Sequence, residues 1–501
     1  MALNSMLDRL ESIIQKNSTV CILLIIFVFI AHGIGIFNGY TWDDNYLIPK
    51  AERLTSSGSI SSFFKDVFVE RRAGSSDSEG SYYRPLRTLI FVFLTSLPGP
   101  HTIYLHSLSI LLHALVTFMV FYISFSITQK RFFPLLGALV FAVHPAATES
   151  VAGISNIKEI LATLFVLAAV YNLYLLAVSP EPRKKYIVFA VSASLLGLLS
   201  KETALVIPLI SIIMLAVFRR QGRKLFLYGV LPVITVTSVY MITIFYLSPG
   251  PEKGEYLLGS PSVTLYTASA AFVKYFKIIL WPAGLSVRHD IAWIVSPWDW
   301  HVITTSVFML LLITIAVYLI KKEDHRAVPV ALFILTLLPI SNIIPLRGHF
   351  MSERYLYMPL SALCMIGSTC FSRDRIKGYI LPVMALLLIA FSLRSAMRTT
   401  EWKNDRRLFE SAVEIAPDSL VVRWNLHRIY TNTGEFQKAR QEYNEMLRIN
   451  REVVEKYVYY DRKRELEGDH KAAKKIWERA EYSALENPEL LNYVRAQRYG
   501  K

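Results

Sequence analysis

Runs of about 18–25 apolar residues recur along the chain, each long enough to cross roughly 30 Å of hydrocarbon. They lie near 20–37, 103–126, 132–148, 157–178, 185–200, 202–218, 225–247, 302–320, 327–345, 355–371 and 378–396. With about eleven crossings, the chain is committed to an all-α, polytopic membrane helix bundle, because lipid-exposed backbone must satisfy its own hydrogen bonds. Composition agrees: of the 501 residues, 53% are hydrophobic and 19% charged, against about 25% charged in an ordinary soluble domain. The formal charge of +15 sits largely in short clusters between apolar runs, which are topology signals and no footprint for nucleic acid. Cys21, Cys364 and Cys370 lie in or beside apolar runs, so no disulfide framework is expected. The first run has a weakly basic flank and no small-residue cleavage site, and reads as an uncleaved span.

Alternate inter-span loops carry Lys130-Arg131, Arg183-Lys184-Lys185, Arg219 to Lys224, Lys321-Lys322 with Arg326, and Arg373 to Lys377. The positive-inside rule places these five clusters, and the N-terminus, in the cytoplasm. Residues 262–281 are moderately apolar but carry Lys274 and Lys277 at helical spacing. A crossing there would force the Lys321 cluster outside, so an interfacial helix on the external surface is expected. The membrane domain is then 1–398, with external loops at 38–102 and 248–301, and the chain beyond is external (periplasmic or lumenal).

Residues 399–501 form a polar helical domain with a 34-residue echo. Phe409, Tyr443 and Trp477 recur at that period, as do Gly434 and Gly468, and Ala439 and Ala473. A turn glycine, a small residue and an aromatic at fixed offsets resemble the tetratricopeptide repeat. Residues 405–417 supply a half repeat, and His427 replaces the usual glycine. So short an array needs packing on the membrane domain or a capping helix near 488–498.

Trp42-Asp43-Asp44 opens the first external loop. An external carboxylate can accept a proton from an attacking hydroxyl, and two adjacent like charges raise at least one pKa. In an extended segment the two side chains would point to opposite sides; the alternative is a helix cap. Later in that loop, Tyr82-Tyr83-Arg84-Pro85-Leu86 offers a guanidinium for a phosphate and aromatic faces for a sugar. His144-Pro145 with Glu149 ends the third span, Lys158-Glu159 opens the fourth, and Ser200-Lys201-Glu202-Thr203 joins the fifth and sixth. Glu353-Arg354-Tyr355-Leu356-Tyr357 lies between the ninth and tenth. Taken singly, each is equally an ion pair or interfacial anchor; span parity sends all of them to one face. His144 and Glu149 are poorly spaced for a metal pair on a helix.

In this order, Trp-Asp-Asp, Tyr-Arg-Pro-Leu, Phe141-Ala142-Val143-His144-Pro145 with Glu149, Ser200-Lys201-Glu202, Glu353 to Tyr357 and Glu401-Trp402 resemble the transmembrane and tetratricopeptide-repeat-containing O-mannosyltransferases and their bacterial relatives. The likeness covers nearly the whole chain. It implies a C-type, lipid-donor glycosyltransferase that moves a sugar, mannose in that family, from polyprenyl phosphate to a hydroxyl of a protein or glycan. Asp43 is then the expected general base, with Asp44 supporting it. Arg84, Lys158, Lys201 and Arg354 are expected at the donor phosphate, where fixed cations stabilise charge on a departing group. Tyr83, His144, Glu149, Glu202 and Glu353 are expected to contact sugar or acceptor or to hold these groups, and His289 and Asp290 to lie toward the acceptor. Ile157-Lys158-Glu159 departs from the Arg-Lys-Asp of the bacterial relatives, and the repeat array is short. No catalytic metal is required, although an acidic pair can hold Mg²⁺ or Mn²⁺. The alternatives are a membrane-anchored repeat scaffold, which has no use for acids and cations on one face, and a lipid-linked glycan transporter, which would show buried mid-span charges and paired broken helices.

Overall fold

The computed structural model describes residues 14–56, 84–247, 255–345, 350–371, 380–466, 468, 470–485 and 487–499. Among them every regular element is helical, and the chain is a multi-pass membrane protein. It divides into two compact units: Met1–Glu252 with Phe308–Ile340 and Glu353–Asn404, and Lys253–Val307 with Ser341–Ser352 and Asp405–Lys501.

The first unit contains α1 (Asn17–His32), α2 (Asp44–Ser56), α3 (Pro85–Ser96), α4 (His101–Thr128), α5 (Phe132–Val143), α6 (Thr148–Ala152), α7 (Ile157–Val178), α8 (Lys184–Ser200), α9 (Val206–Val217) and α10 (Leu231–Leu247). Each of the eleven apolar runs read from the sequence carries a helix. Among the described residues, seven helices are long and apolar enough to span a bilayer, or eight if one bent pair counts as a single span. The shorter ones, α8, α9, α13 (Ala327–Leu337) and α14 (Tyr357–Cys370), are partly buried in the bundle, so their length is not set by bilayer thickness alone. α4 and α7 form the inner pair, with Val116, Val120, Val166 and Leu167 inaccessible to solvent, as expected of helices apolar all round.

The third run is not a straight helix. α5 ends at Val143, and after His144 the chain resumes as a 3-10 turn, Pro145–Ala147, and α6, bent by 54°. Pro145 has no N–H, and its ring excludes the preceding residue from helical geometry; His144 accordingly has φ −69° and ψ 124°. The third run is therefore a broken helix where the sequence suggested a continuous span.

α15 (Ile380–Glu401) closes the first unit. In the second, α11 (Pro261–Leu280) corresponds to the segment read as interfacial; it has the lowest mean hydropathy, 1.3, of the seven long apolar helices. α12 (Trp300–Lys321) begins in the second unit and ends in the first, the boundary falling between Val307 and Phe308. The C-terminal helices are α16 (Asp405–Ile415), α17 (Leu420–Asn432), α18 (Phe436–Leu466), α19 (His470–Ala484) and α20 (Pro488–Tyr499). Gly434 and Gly468, 34 residues apart, take nearly equal left-handed conformations, φ 78° and 80°, which a side chain would strain. α18 is unbroken over 31 residues, so the second helix of one repeat continues into the first of the next. The array is capped on one side by α20, whose Leu490 and Val494 pack with Trp477 and Val458. On another it is covered by Leu258 and Val263, which bury Ile476.

Candidate functional site: a buried carboxylate and cation cluster

The loop after α1 is tied down before it reaches the aspartates. Asn38 Nδ2 donates to the Thr399 carbonyl at 2.9 Å, and the Gly39 N–H donates to the Lys403 carbonyl at 2.9 Å. A turn follows, with the Asp44 N–H donating to the Thr41 carbonyl at 2.9 Å. Trp42, inside that turn, has φ 47°, a strained value for a bulky residue and one that the surroundings must enforce. The pair therefore sits in a tight turn and not in an extended segment.

The two aspartates have different surroundings. Asp44 is inaccessible: its Oδ2 accepts from the Thr41 N–H and hydroxyl, both at 3.2 Å, and its Oδ1 from the Ser155 N–H at 2.7 Å. Burial pushes its carboxyl up to about 6, against the opposing pull of the Ser155 and Thr41 hydrogen bonds. Asp43 takes the N-cap place of α2, its carbonyl accepting from the Leu47 N–H at 3.0 Å. Its side chain is half-buried and close enough to the Arg354 guanidinium for the two charges to interact. The cap and the candidate base are thus the same residue.

Three cations are each held by a carboxylate distant in sequence. Glu149, fully buried on α6, accepts from the Arg354 N–H at 3.0 Å and from its Nη1 at 2.7 Å. Lys201 Nζ donates to Glu159 Oε1 at 2.5 Å, both side chains buried. Arg84 Nη2 donates to Glu202 Oε1 at 3.1 Å. Lys201 has φ −163° and ψ 146°, extended geometry that sends successive side chains to opposite sides; hence Lys201 meets α7 while Glu202 meets Arg84. Arg84 precedes Pro85 at the first position of α3, where proline suits a helix start and keeps its predecessor out of the helix. The ring of Tyr355 lies between two cations, 5.0 Å from Lys201 Nζ and 5.4 Å from the Arg354 guanidinium carbon.

A small cavity of about 20 Å³ lies beside this cluster, its polar end formed by Glu159, Lys201, Thr203 and Tyr355 and its walls by Val206, Pro339, Ile340 and Met358. Among the described residues no group of three or more His, Cys, Asp and Glu is arranged to hold a metal ion.

The other residues singled out above are distributed as follows. Lys158 is buried in the first turn of α7. His144 Nδ1 accepts from the Ala146 N–H at 3.2 Å and its ring meets Phe391 edge-on at 4.8 Å; it shapes the bend that carries Glu149. Glu353 is inaccessible, 3.5 Å from Arg398 Nη2. Tyr83 lies outside the described residues. His289 and Asp290 belong to the second unit, where Lys274 Nζ donates to the Asp290 carbonyl at 3.3 Å and burial raises the Asp290 carboxyl.

Sequence reasoning passed over Glu159, Tyr355 and Arg398 as site residues. Arg398, fully buried, donates to Glu401 Oε2 at 2.5 Å, and Arg394 donates to Glu401 Oε1 at 3.1 Å. The signal was available: Arg394, Arg398 and Glu401 fall at the i, i+4, i+7 positions of one face of the last apolar helix.

No protein-family model matches the sequence. The chain is 25% identical over 429 residues to Protein O-mannosyl-transferase F38B6.6 of Caenorhabditis elegans, covering 82% of this chain and 60% of that protein. It is 25% identical over 470 residues to Protein O-mannosyl-transferase TMTC4 of Mus musculus (81% and 63%). With Protein O-mannosyl-transferase TMTC1 of Homo sapiens it shares 24% over 437 residues (73% and 48%). The resemblance carried by the ordered motifs is thus borne out over most of the chain, which spans only about half to two thirds of these curated relatives, 48% to 63%.

Proposed function

We propose that this chain is an inverting membrane glycosyltransferase that moves a sugar, mannose by analogy with its relatives, from a polyprenyl phosphate to a hydroxyl. The acceptor is a protein Ser or Thr or a glycan, and the reaction takes place on the external face, with the N-terminus cytoplasmic and the C-terminal helices external. The observation that carries the reading is the division of labour between the aspartates: Asp44 is spent on Thr41 and Ser155, whereas Asp43 is half-buried beside Arg354.

In this reading Asp43 removes the proton from the acceptor hydroxyl as its oxygen attacks the anomeric carbon. The bond from that carbon to the phosphate oxygen breaks on the opposite side, inverting the configuration and leaving polyprenyl phosphate. Arg84, Lys201 and Arg354, with Lys158 near them in sequence register, stabilise the charge gathering on the phosphate. Their carboxylate partners hold them in place beforehand, so the protein reorganises little in the transition state. Asp44 keeps the turn rigid, and the strained Trp42 sets the direction of Asp43.

The test is transfer of radiolabelled sugar from polyprenyl phosphate in membranes. Asp43→Asn should lower transfer by about 10²–10⁴-fold with unchanged membrane insertion, and Arg84→Ala should raise the donor KM. Transfer by Asp43→Asn at the wild-type rate excludes Asp43 as the base. Loss of activity with a chelator, restored by Mg²⁺ or Mn²⁺, overturns the metal-free form of the mechanism.

A further inference from the structure

The break at His144-Pro145 takes two main-chain carbonyls away from their helical donors. In a continuous helix the Ala142 carbonyl would accept from Ala146, and the Val143 carbonyl from Ala147. Here the Ala146 N–H donates to His144 Nδ1 at 3.2 Å and the Ala147 N–H to the His144 carbonyl at 2.9 Å. Side chains from two other helices fill the gap. His113 Nε2, on α4, lies 3.1 Å from the Ala142 carbonyl oxygen, and Ser395 Oγ, on α15, donates to the Val143 carbonyl at 2.7 Å. A buried carbonyl left without a donor is costly, so these two contacts hold the bend in shape.

His113 has a second partner. Its Nδ1 lies 2.7 Å from the hydroxyl of Tyr357, the first residue of α14. A carbonyl can only accept, so Nε2 carries the hydrogen; in the neutral imidazole Nδ1 then accepts from the Tyr357 O–H. The ring is inaccessible, met edge-on by His32 at 5.0 Å and packed on Phe141 at 5.3 Å, which keeps it on both partners.

We infer that His113 is a positioning residue for the Glu149–Arg354 pair, a role that rests on the transferase reading above. Ala142 precedes the bend that carries Glu149, and Tyr357 follows the 3-10 turn Glu353–Leu356 that carries Arg354. One rigid ring therefore sets the spacing of carboxylate and guanidinium before the donor arrives. Such advance placement is what electrostatic stabilisation of a leaving phosphate needs. Ser395 completes the same bend but makes no hydrogen bond to Tyr357 or Arg354, so it serves as the internal control.

Two measurements on the full chain in detergent micelles test this. Amide hydrogen exchange needs no transfer. His113→Leu should speed exchange roughly tenfold in the peptides containing Ala146 and Arg354, Tyr357→Phe in the second, and Ser395→Ala only in the first. His113→Gln, whose amide sets one donor beside one acceptor as the ring does, should restore both. In the transfer assay His113→Leu should lower kcat by about 10²-fold with the donor KM unchanged. In an Arg354→Ala background it should add less than about twofold, because the group it places is gone. Unchanged exchange at Arg354 in His113→Leu overturns the inference, as does equal acceleration there by Ser395→Ala. Equal losses in the Gln and Leu variants also overturn it, as does a full kcat loss on top of Arg354→Ala. A wild-type chain that transfers no sugar sinks the transferase reading instead, and exchange still decides whether His113 places Arg354.

Discussion

Glu149 holds Arg354 at two points, accepting from its backbone N–H at 3.0 Å and from its guanidinium at 2.7 Å, across 205 residues of chain. One carboxylate thus fixes both the path of the backbone and the direction of the side chain. Neither partner is solvent-screened, since the side chains are 6% and 0% exposed. Such a pair is a weak source of net stability but strongly destabilising when broken.

Glu149→Gln should therefore cost about 3–5 kcal/mol, because a buried guanidinium is left without its counter-charge. Adding Arg354→Met should recover part of that loss. Thermal unfolding of the two single variants and the double in detergent gives the coupling, expected above about 1 kcal/mol. Additive losses would mean that the pair does not form.

Asp44 gives a pH dependence of defined sign. Its carboxyl is pushed up to about 6 from an ordinary 3.8, so the folded state keeps a proton that the unfolded chain has released. Stability from this group is fully present below about pH 4 and falls as pH rises to about 6, by up to about 3 kcal/mol. Asp44→Asn carries no titrating proton there. Apparent Tm of the variant, subtracted from that of wild type across this window, should show the slope disappear; parallel curves would contradict the shift.

Arg84 and Glu202 should respond unequally. Their side chains are 5% and 47% exposed, and a pair screened on one side contributes about 0–1 kcal/mol. Glu202→Gln should leave the unfolding free energy within about 1 kcal/mol of wild type. Arg84→Ala should raise the donor KM by roughly tenfold or more, the loss of one charge-assisted contact. The check is a donor titration of both variants, and equal KM effects would remove Arg84 from the phosphate.

Gly137 sits where α5 and α14 approach closely. A Cβ there would stand 2.7 Å from the Cys364 carbonyl oxygen and 2.9 Å from the Ser368 Cβ. The first neighbour is backbone and cannot step aside, so Gly137→Ala should cost about 1–3 kcal/mol as overpacking. Gly367→Ala, within α14 and with nothing inside 4 Å, should be neutral or stabilising by up to about 1 kcal/mol. Thermal unfolding of the two variants separates these outcomes.

Much of the site was legible in the chain because its residues come in short clusters at span ends. Asp43-Asp44, Arg84, Lys201-Glu202 and Glu353-Arg354 stand out against apolar surroundings, where an ionisable group is costly unless it is paired or used. Arg398 was harder to read: it lies just past the last apolar run, in the final turn of α15, and its value depends on Glu353 and Glu401 reaching it. Glu159 stood beside the noticed Lys158, but only the fold shows it taking the Lys201 ammonium.

By itself the sequence determined that the chain is helical, that it lies in a membrane, and that a 34-residue periodicity shapes its end. Those properties follow from local periodicity and apolar length, which the bilayer and the helix read one segment at a time. Only the tertiary structure decided which carboxylate serves which cation, and that Asp44 is buried while Asp43 stays half-buried by Arg354. These depend on partners 42 to 205 residues apart, and no local rule selects among the acids and bases that apolar segments bring to a common depth.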